Sequence, residues 1–210
     1  MQRISKRGII IDDKSCNRTA IYVLTIKNNT VHVLFARKCF GGNRAKQQPG
    51  ERYKVNHTYF RTGKRVEPYG PGSGAAGTSS QYWGKWVTIG GTNSKKAKTS
   101  FEAATMEFQD ETNSKKNISK QLKMIKSYKY NGTIIYIAFL RPNYARTLDT
   151  SKGTNKKLIF ASHGEIAELR WVPYNNVLNN SVMKNGIASY VNSTYRMYAI
   201  DICKSIQSKV

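Results

Sequence analysis

The stretch "FEAATMEFQDET", residues 101–112, holds Glu102, Glu107, Asp110 and Glu111, four of the chain's 12 carboxylates. Turned through about 100° per residue, it sets Phe101, Ala104 and Phe108 in one apolar stripe. Glu107, Asp110 and Glu111 follow at i, i+3 and i+4 on the neighbouring face. Thr99 and Ser100, just ahead, are residues that start helices. The spacing therefore predicts a helix over about 101–112. Like charges on one helix face repel by a few tenths of a kcal/mol per pair, and a cation turns that repulsion into attraction. Hard divalent ions such as Mg²⁺ take carboxylate oxygens, and a compact triad suits them. Glu102 points well away from the other three and is a poor ligand. The alternative is a solvated helix face tolerated by basic neighbours.

The rest of the chain makes this concentration unusual. It has 210 residues, 35 Lys and Arg against 12 Asp and Glu, and a net charge of +23. That length suits a single domain with an insertion and a core that needs no disulfides. Abundant Lys, Asn, Ile and Tyr match an AT-rich coding bias, but such a bias does not remove acids. The imbalance reads as a positive field that attracts polyanions such as nucleic acid or polyphosphate. The three cysteines, Cys16, Cys39 and Cys203, lack the spacing of a zinc site or a disulfide framework. The absence of a membrane-length apolar run, together with a start unlike a signal peptide, leads to the expectation of a cytoplasmic protein with no membrane partner.

Working outward, "TAIYVLTI" (19–26) and "TVHVLFAR" (30–37) are rich in β-branched and aromatic residues and read as strands around a "KNN" turn. "RGIII" (7–11), "YWGKWVTIGG" (82–91) and "GTIIYIAFLR" (132–141) also read as strands. "KKLIFASHGEIAELRWVP" (156–173) reads as two strands around a short loop, and residues 117–127 are ambiguous. The tail, about 186–208, repeats Tyr195, Tyr198, Ile202 and Ile206 at helical spacing and reads as a closing helix. Residues 40–80 are rich in Gly, Pro and Ser and read as a basic insertion. Strands around one or two helices give a mixed α+β fold.

Gly90-Gly91 followed by 100–113 resembles the Nudix box. Glu107 stands where that family has the Glu after an Arg, Phe108 at the apolar position, and Asp110 and Glu111 at the paired acids. The departures are Lys98 for the first Glu, Thr92 for the Gly unless the loop holds one extra residue, Met106 for the Arg and Asn113 for the closing Gly. "GEIAELRWVP" (164–173) is similar to a segment near the end of many such domains. It adds Glu165 and Glu168, so that six of the 12 acids fall in two segments which the resemblance brings to one site.

The resemblance implies an α/β/α sandwich, a mixed sheet flanked by helices, and metal-dependent hydrolysis of a nucleoside-diphosphate-linked substrate. It implies Mg²⁺ or Mn²⁺ held by Glu107, Asp110 and Glu111. Glu107, Glu111 and Glu165 are its catalytic residues, with Glu165 the candidate base. In the insertion, Arg44, Lys46, Arg52, Lys54, Arg61, Lys64 and Arg65 alternate with aromatics. Such residues suit RNA, the cations tracking phosphates and the rings stacking bases. "HGEIAELRW" is similar to a loop of mRNA-decapping Nudix enzymes, and the coding bias and loosened box resemble such proteins of large cytoplasmic DNA viruses. Capped mRNA is thus the expected partner, in a host cytoplasm or a virion. Two alternatives stay open: a hydrolase of small polyphosphates (diphosphoinositol or dinucleoside polyphosphates), or a degenerate Nudix-fold protein that only binds nucleic acid.

Overall fold

A computed structural model of the chain describes residues 4–5, 8–9, 11–38, 52–55, 58–61, 64–65, 85–112, 114, 116–149, 166–178 and 186–210. The strands are β1 (Ile4–Ser5), β2 (Gly8–Ile9), β3 (Arg18–Lys27), β4 (Thr30–Lys38), β5 (Arg52–Val55), β6 (Thr58–Arg61), β7 (Lys64–Arg65), β8 (Trp86–Val87), β9 (Ile89–Thr92), β10 (Lys123–Tyr130), β11 (Thr133–Phe139) and β12 (Ile166–Pro173). The helices are α1 (Ser100–Thr112), α2 (Lys116–Ser119), α3 (Pro142–Ala145) and a C-terminal helix. The last joins Ser189–Thr194 to Ile200–Gln207 through a wider π-helical turn at Tyr195–Ala199.

The main sheet runs β10-β11-β3-β4-β12. β11 and β3 are parallel and the other pairs antiparallel. Two tight turns set its hairpins. Asn28 and Asn29 take φ 50° and 55°, and Asn131 and Gly132 take 45° and 71°. Asn and Gly enter this left-handed region at least cost, which is what a two-residue hairpin turn requires.

β3 and β4 pair only beside their turn, over Leu24–Lys27 and Thr30–Val33. Beyond it they fork. The segment carrying β8 and β9 fills the gap: β9 pairs with Arg18–Ile21 of β3, and β8 with Ala36 and Arg37 of β4. The described part of the 82–91 stretch is therefore two strands broken at Thr88, each serving a different partner.

Helices cover both faces. On one, Phe101 of α1 meets Tyr136 edge-to-face at 5.1 Å, and Ala104 and Phe108 are fully buried. Burial of a side chain like Phe108 contributes roughly 1.5–3 kcal/mol. On the other, Tyr195 of the C-terminal helix packs against Tyr22 and Phe35, with ring centroids 5.9 and 6.3 Å apart. Gln207 at its far end bonds Val31 N and Asn29 O, both at 2.8 Å, and clamps the helix to the β3–β4 turn. The architecture is a mixed α+β sheet between helices.

Several details differ from the sequence reading. Residues 117–127 divide into α2 and the start of β10. Only Ile166–Pro173 of the 156–173 stretch is described, and it forms one strand. Within 7–11, a two-residue strand at Gly8–Ile9 is described. Inside the insertion, β5, β6 and β7 form a small antiparallel sheet.

Candidate active site

α1 begins where the sequence places it, and the reason is local. Thr99 Oγ1 accepts the Glu102 N–H at 3.1 Å, while Glu102 Oε2 accepts the Lys98 N–H at 2.6 Å. This is close to a capping box. It explains the fourth acid: Glu102 caps the helix. Lys98, at the family's first Glu position, takes part in the same cap through its backbone. Asp12 Oδ1 accepts the Ser100 N–H at 2.7 Å. Asn93 Nδ2 donates to Asp13 O, Cys16 O and Ser100 Oγ at 2.9–3.1 Å. Lys14 Nζ holds the carbonyls of Ser94 and Ala97 at 3.2 and 3.0 Å. Residues 12–17 thus fix the loop that delivers α1.

The helix divides its acids into two sets. Glu107 and Glu111, at i and i+4, line a cavity of about 1000 Å³. Asp110 is exposed and does not line it. At 100° per residue Asp110 stands about 100° round the helix from Glu111, on the solvent side of the pair. Met106, 41% exposed, shares the solvent side with Asp110 and does not lie between the cavity carboxylates.

The glycine pair explains how the carboxylates reach the sheet. The Gly90 N–H donates to Glu111 Oε2 at 3.3 Å. A Cβ on Gly91 would fall 2.2 Å from Glu107 Oε2, and one on Gly90 would fall 2.4 Å from Thr19 O. Gly91 makes room for a carboxylate and Gly90 for a neighbouring strand.

The cavity floor follows from the strand registers. Tyr130 pairs with Thr133, Thr133 with Arg18, and Arg18 with Thr92. These four cavity residues form a row across β10, β11, β3 and β9, about 14 Å from end to end at the usual strand spacing. Tyr190 and Thr194 of the C-terminal helix also line the cavity. Thr194 Oγ1 is 2.6 Å from Tyr22 OH, whose proton burial holds well above the ordinary phenol range. Cations stand beside the carboxylates, since Lys14, Arg18 and Lys95 line the same space. Cys16 lines it too, and burial raises its thiol pKa.

The oxygen-bearing residues that line the cavity suit a hard cation. Glu107 and Glu111 offer carboxylate oxygens, and Thr19 Oγ1 and Asn93 Oδ1 are buried oxygens without a hydrogen-bond partner among the described residues. Mg²⁺ is commonly bound by one or two carboxylates, with substrate phosphates and water completing its shell. Among the described residues no three His, Cys, Asp or Glu side chains are grouped to hold a metal by themselves.

Glu168 has a different role from the one its segment suggested. Its carboxylate is 2% exposed, bonded to Arg170 and 3.9 Å from Arg37 Nη1. Both guanidinium groups also lie over the Trp86 ring, at 5.6 and 5.5 Å. Burial, more than any neighbour, lowers the Arg37 pKa. Glu168 therefore neutralises buried Arg37 and half-buried Arg170, and does not line the cavity with Glu107 and Glu111. Glu165, Arg44 and Lys46 lie outside the described residues. For Arg52, Lys54, Arg61, Lys64 and Arg65 the strand backbone is described and the side chains are not. The sequence reading missed Arg18, Lys14 and Lys95 as cavity cations, because only the fold brings 14–18 beside 90–95. Among the described residues no helix is long and apolar enough to cross a membrane.

No family model matches the chain, and no curated protein does. Solved structures with a similar overall course include a MutT/Nudix family protein from Listeria innocua. That likeness has 13% identity, covers 91% of this chain and 94% of that one, and has a TM-score of 0.46. An Ap4A hydrolase from C. elegans in a binary complex is similar at 12% identity, over 89% and 97% of the two chains, with a TM-score of 0.44. The Nudix domain of Shewanella oneidensis NrtR, complexed with ADP ribose, is similar at 9% identity, over 88% and 86%, with a TM-score of 0.44.

Proposed function

We propose that the chain is a pyrophosphohydrolase of nucleoside-diphosphate-linked substrates, and that its substrate is the 5′ cap of RNA. The observation that carries the reading is the convergence of Glu107 and Glu111, through Gly90 and Gly91, on a cavity that also holds three cations. Carboxylates and cations side by side suit a diphosphate link. The cations draw phosphate oxygens in, and the carboxylates have little reason to face such a ligand unless a metal stands between them.

Glu107 and Glu111 would hold Mg²⁺ or Mn²⁺. Such an ion, when bound, neutralises phosphate charge and lowers the pKa of a coordinated water. The chain's own contribution is placement. Arg18, in the floor, and Lys95, at its edge, orient the phosphates. Lys14 is already bonded to loop carbonyls and holds the loop in position. Tyr130, at the opposite end of the floor row from Thr92, offers a ring to a nucleoside. From the sequence alone, Asp110 is assigned as a further ligand and Glu165 as the base. RNA, rather than a small nucleotide, is favoured by the charge of +23, since a long polyanion gains affinity from counterion release and a short one gains little.

The test is hydrolysis of cap-labelled RNA with Mg²⁺ or Mn²⁺, wild type against Glu111→Gln. The expected result is release of a capped nucleoside diphosphate by wild type and a loss of at least a hundredfold in the variant. RNA bound but left intact by both proteins would overturn the reading. Equal turnover of dinucleoside polyphosphates and capped RNA would replace RNA with a small substrate.

A further inference from the structure

We infer that β10 and the C-terminal helix carry a second nucleic-acid surface, which leads a single RNA strand out of the cavity. This extends the reading of capped RNA as substrate and uses residues outside the basic insertion. The register places Lys123, Lys126, Tyr128 and Tyr130 on one face of β10, opposite Phe139, Ile137, Ile135 and Thr133. A register shift between Met124 and Lys126 keeps both lysines on that face. Tyr130 is already part of the cavity floor, so the row begins at the proposed site and runs away from it. Its members recur about every 6.8 Å along the strand.

The face is built for an anionic, aromatic ligand. Tyr198 stacks on Tyr128 at 4.4 Å and 23°, and meets Tyr130 edge-on at 6.3 Å. Lys126 Nζ lies 5.2 Å over the Tyr128 ring. The three tyrosines are half-buried and the two lysines exposed. Met197, next to Tyr198 in the same turn of the helix, is 55% exposed. Lys129, on the opposite face of the same strand, is paired with Asp13 at 2.8 Å. Lys123 and Lys126 have no such carboxylate among the described residues. β10 ends the main sheet with β2 beside it, and the exposed Lys123 and Lys126 leave the face of the row open to a long strand. Cations beside partly exposed rings are how single strands are held without sequence preference: phosphates pair with the cations, and bases stack on or displace groups over the rings.

The experiment measures binding of an uncapped single-stranded RNA, a 20-mer of uridine, across a salt series. It compares wild type, a Lys123→Glu/Lys126→Glu double variant and Tyr128→Leu, each checked for an unchanged melting temperature. The double variant should bind at least tenfold more weakly. Its slope of log affinity against log salt should flatten by about 1.4, two contacts at about 0.7 each. Tyr128→Leu keeps an apolar contact for Tyr198 and should lose affinity with the slope unchanged. Wild-type affinity in both variants would overturn the inference. So would an equal loss for duplex RNA, because a duplex hides its bases from the rings. Release of the capped nucleoside diphosphate from a capped dinucleotide, too short to follow β10, is assayed in parallel and separates the two readings. Its absence from wild type counts against the pyrophosphohydrolase and leaves the RNA surface standing. Weakened RNA binding with hydrolysis retained in the double variant is the result expected if both hold.

Discussion

Gly90 and Gly91 are neighbours, yet they are glycines for different reasons, and the difference can be measured. A methyl group on Gly90 would meet backbone, Thr19 O at 2.4 Å and the Ala20 Cα at 2.7 Å. Neither atom can move without separating β9 from β3. Gly90→Ala should cost about 1–3 kcal/mol or more, as overpacking does, and should appear as a lower urea midpoint. The three atoms nearest to a methyl group on Gly91 would all belong to the Glu107 carboxylate, with Oε2 at 2.2 Å. That side chain can swing aside. Gly91→Ala should therefore melt near wild type but lose hydrolysis to about the level of Glu107→Gln. An inactive, stable Gly91→Ala beside an unstable Gly90→Ala fits this assignment; the reverse pattern contradicts it. At this scale the sequence was informative about part of the site. Acid clustering and helical spacing pointed to Glu107 and Glu111, because an i, i+4 pair shares a face whatever surrounds it. They did not separate Asp110 from that pair, because the limits of a helix face depend on what the helix packs against. Nor did they expose Glu168 as the partner of two arginines, since that requires knowing that Arg37 and Glu168 are paired across β4 and β12.

At the scale of elements, α1 is the part most legible in the chain, and its start carries the next prediction. Its apolar stripe, capping threonine and reciprocal glutamate are all local signals, so the 101–112 reading falls within a residue of Ser100–Thr112. The 86–92 segment was harder to read. Its break at Thr88 exists because β3 and β4 diverge, and no local pattern records a fork between distant strands. Thr99→Ala should remove the side-chain acceptor for Glu102 N–H and cost about 1 kcal/mol, the usual value of an N-cap. Urea denaturation measures that cost. The loss should not grow much beyond it, because Asp12 Oδ1 still holds Ser100 N and backs up the weakened end. A double variant with Asp12→Ala removes both acceptors from one helix end, and should cost more than the sum of the single changes. Strictly additive losses would mean that the two caps act independently.

The whole molecule is governed by its charge. Even if each of the 12 carboxylates paired with one cation, 23 of the 35 Lys and Arg would remain. Several carboxylates are already committed: Glu168 serves two arginines, Asp13 serves Lys129, and Glu107 and Glu111 face the cavity. Folding gathers the excess cations onto one compact surface, and their repulsion opposes the compact state. Salt screens this repulsion, because the Debye length falls from about 10 Å at 0.1 M to about 3 Å at 1 M. Salt also weakens exposed pairs such as Lys129–Asp13, but each of these contributes only about 0–1 kcal/mol. The many repulsive pairs should outweigh the few attractive ones, so stability should rise with salt. A gain of about 1 kcal/mol corresponds to a rise of roughly 2–4 °C for a chain of this size. The expected result is therefore a melting temperature that climbs by several degrees between 0.05 and 0.5 M sodium chloride, values set as roughly a tenfold span of ionic strength. RNA affinity should fall steeply over the same range. A melting temperature that stayed flat or fell would mean that the cations are held apart, or paired, more completely than the sequence permits one to one.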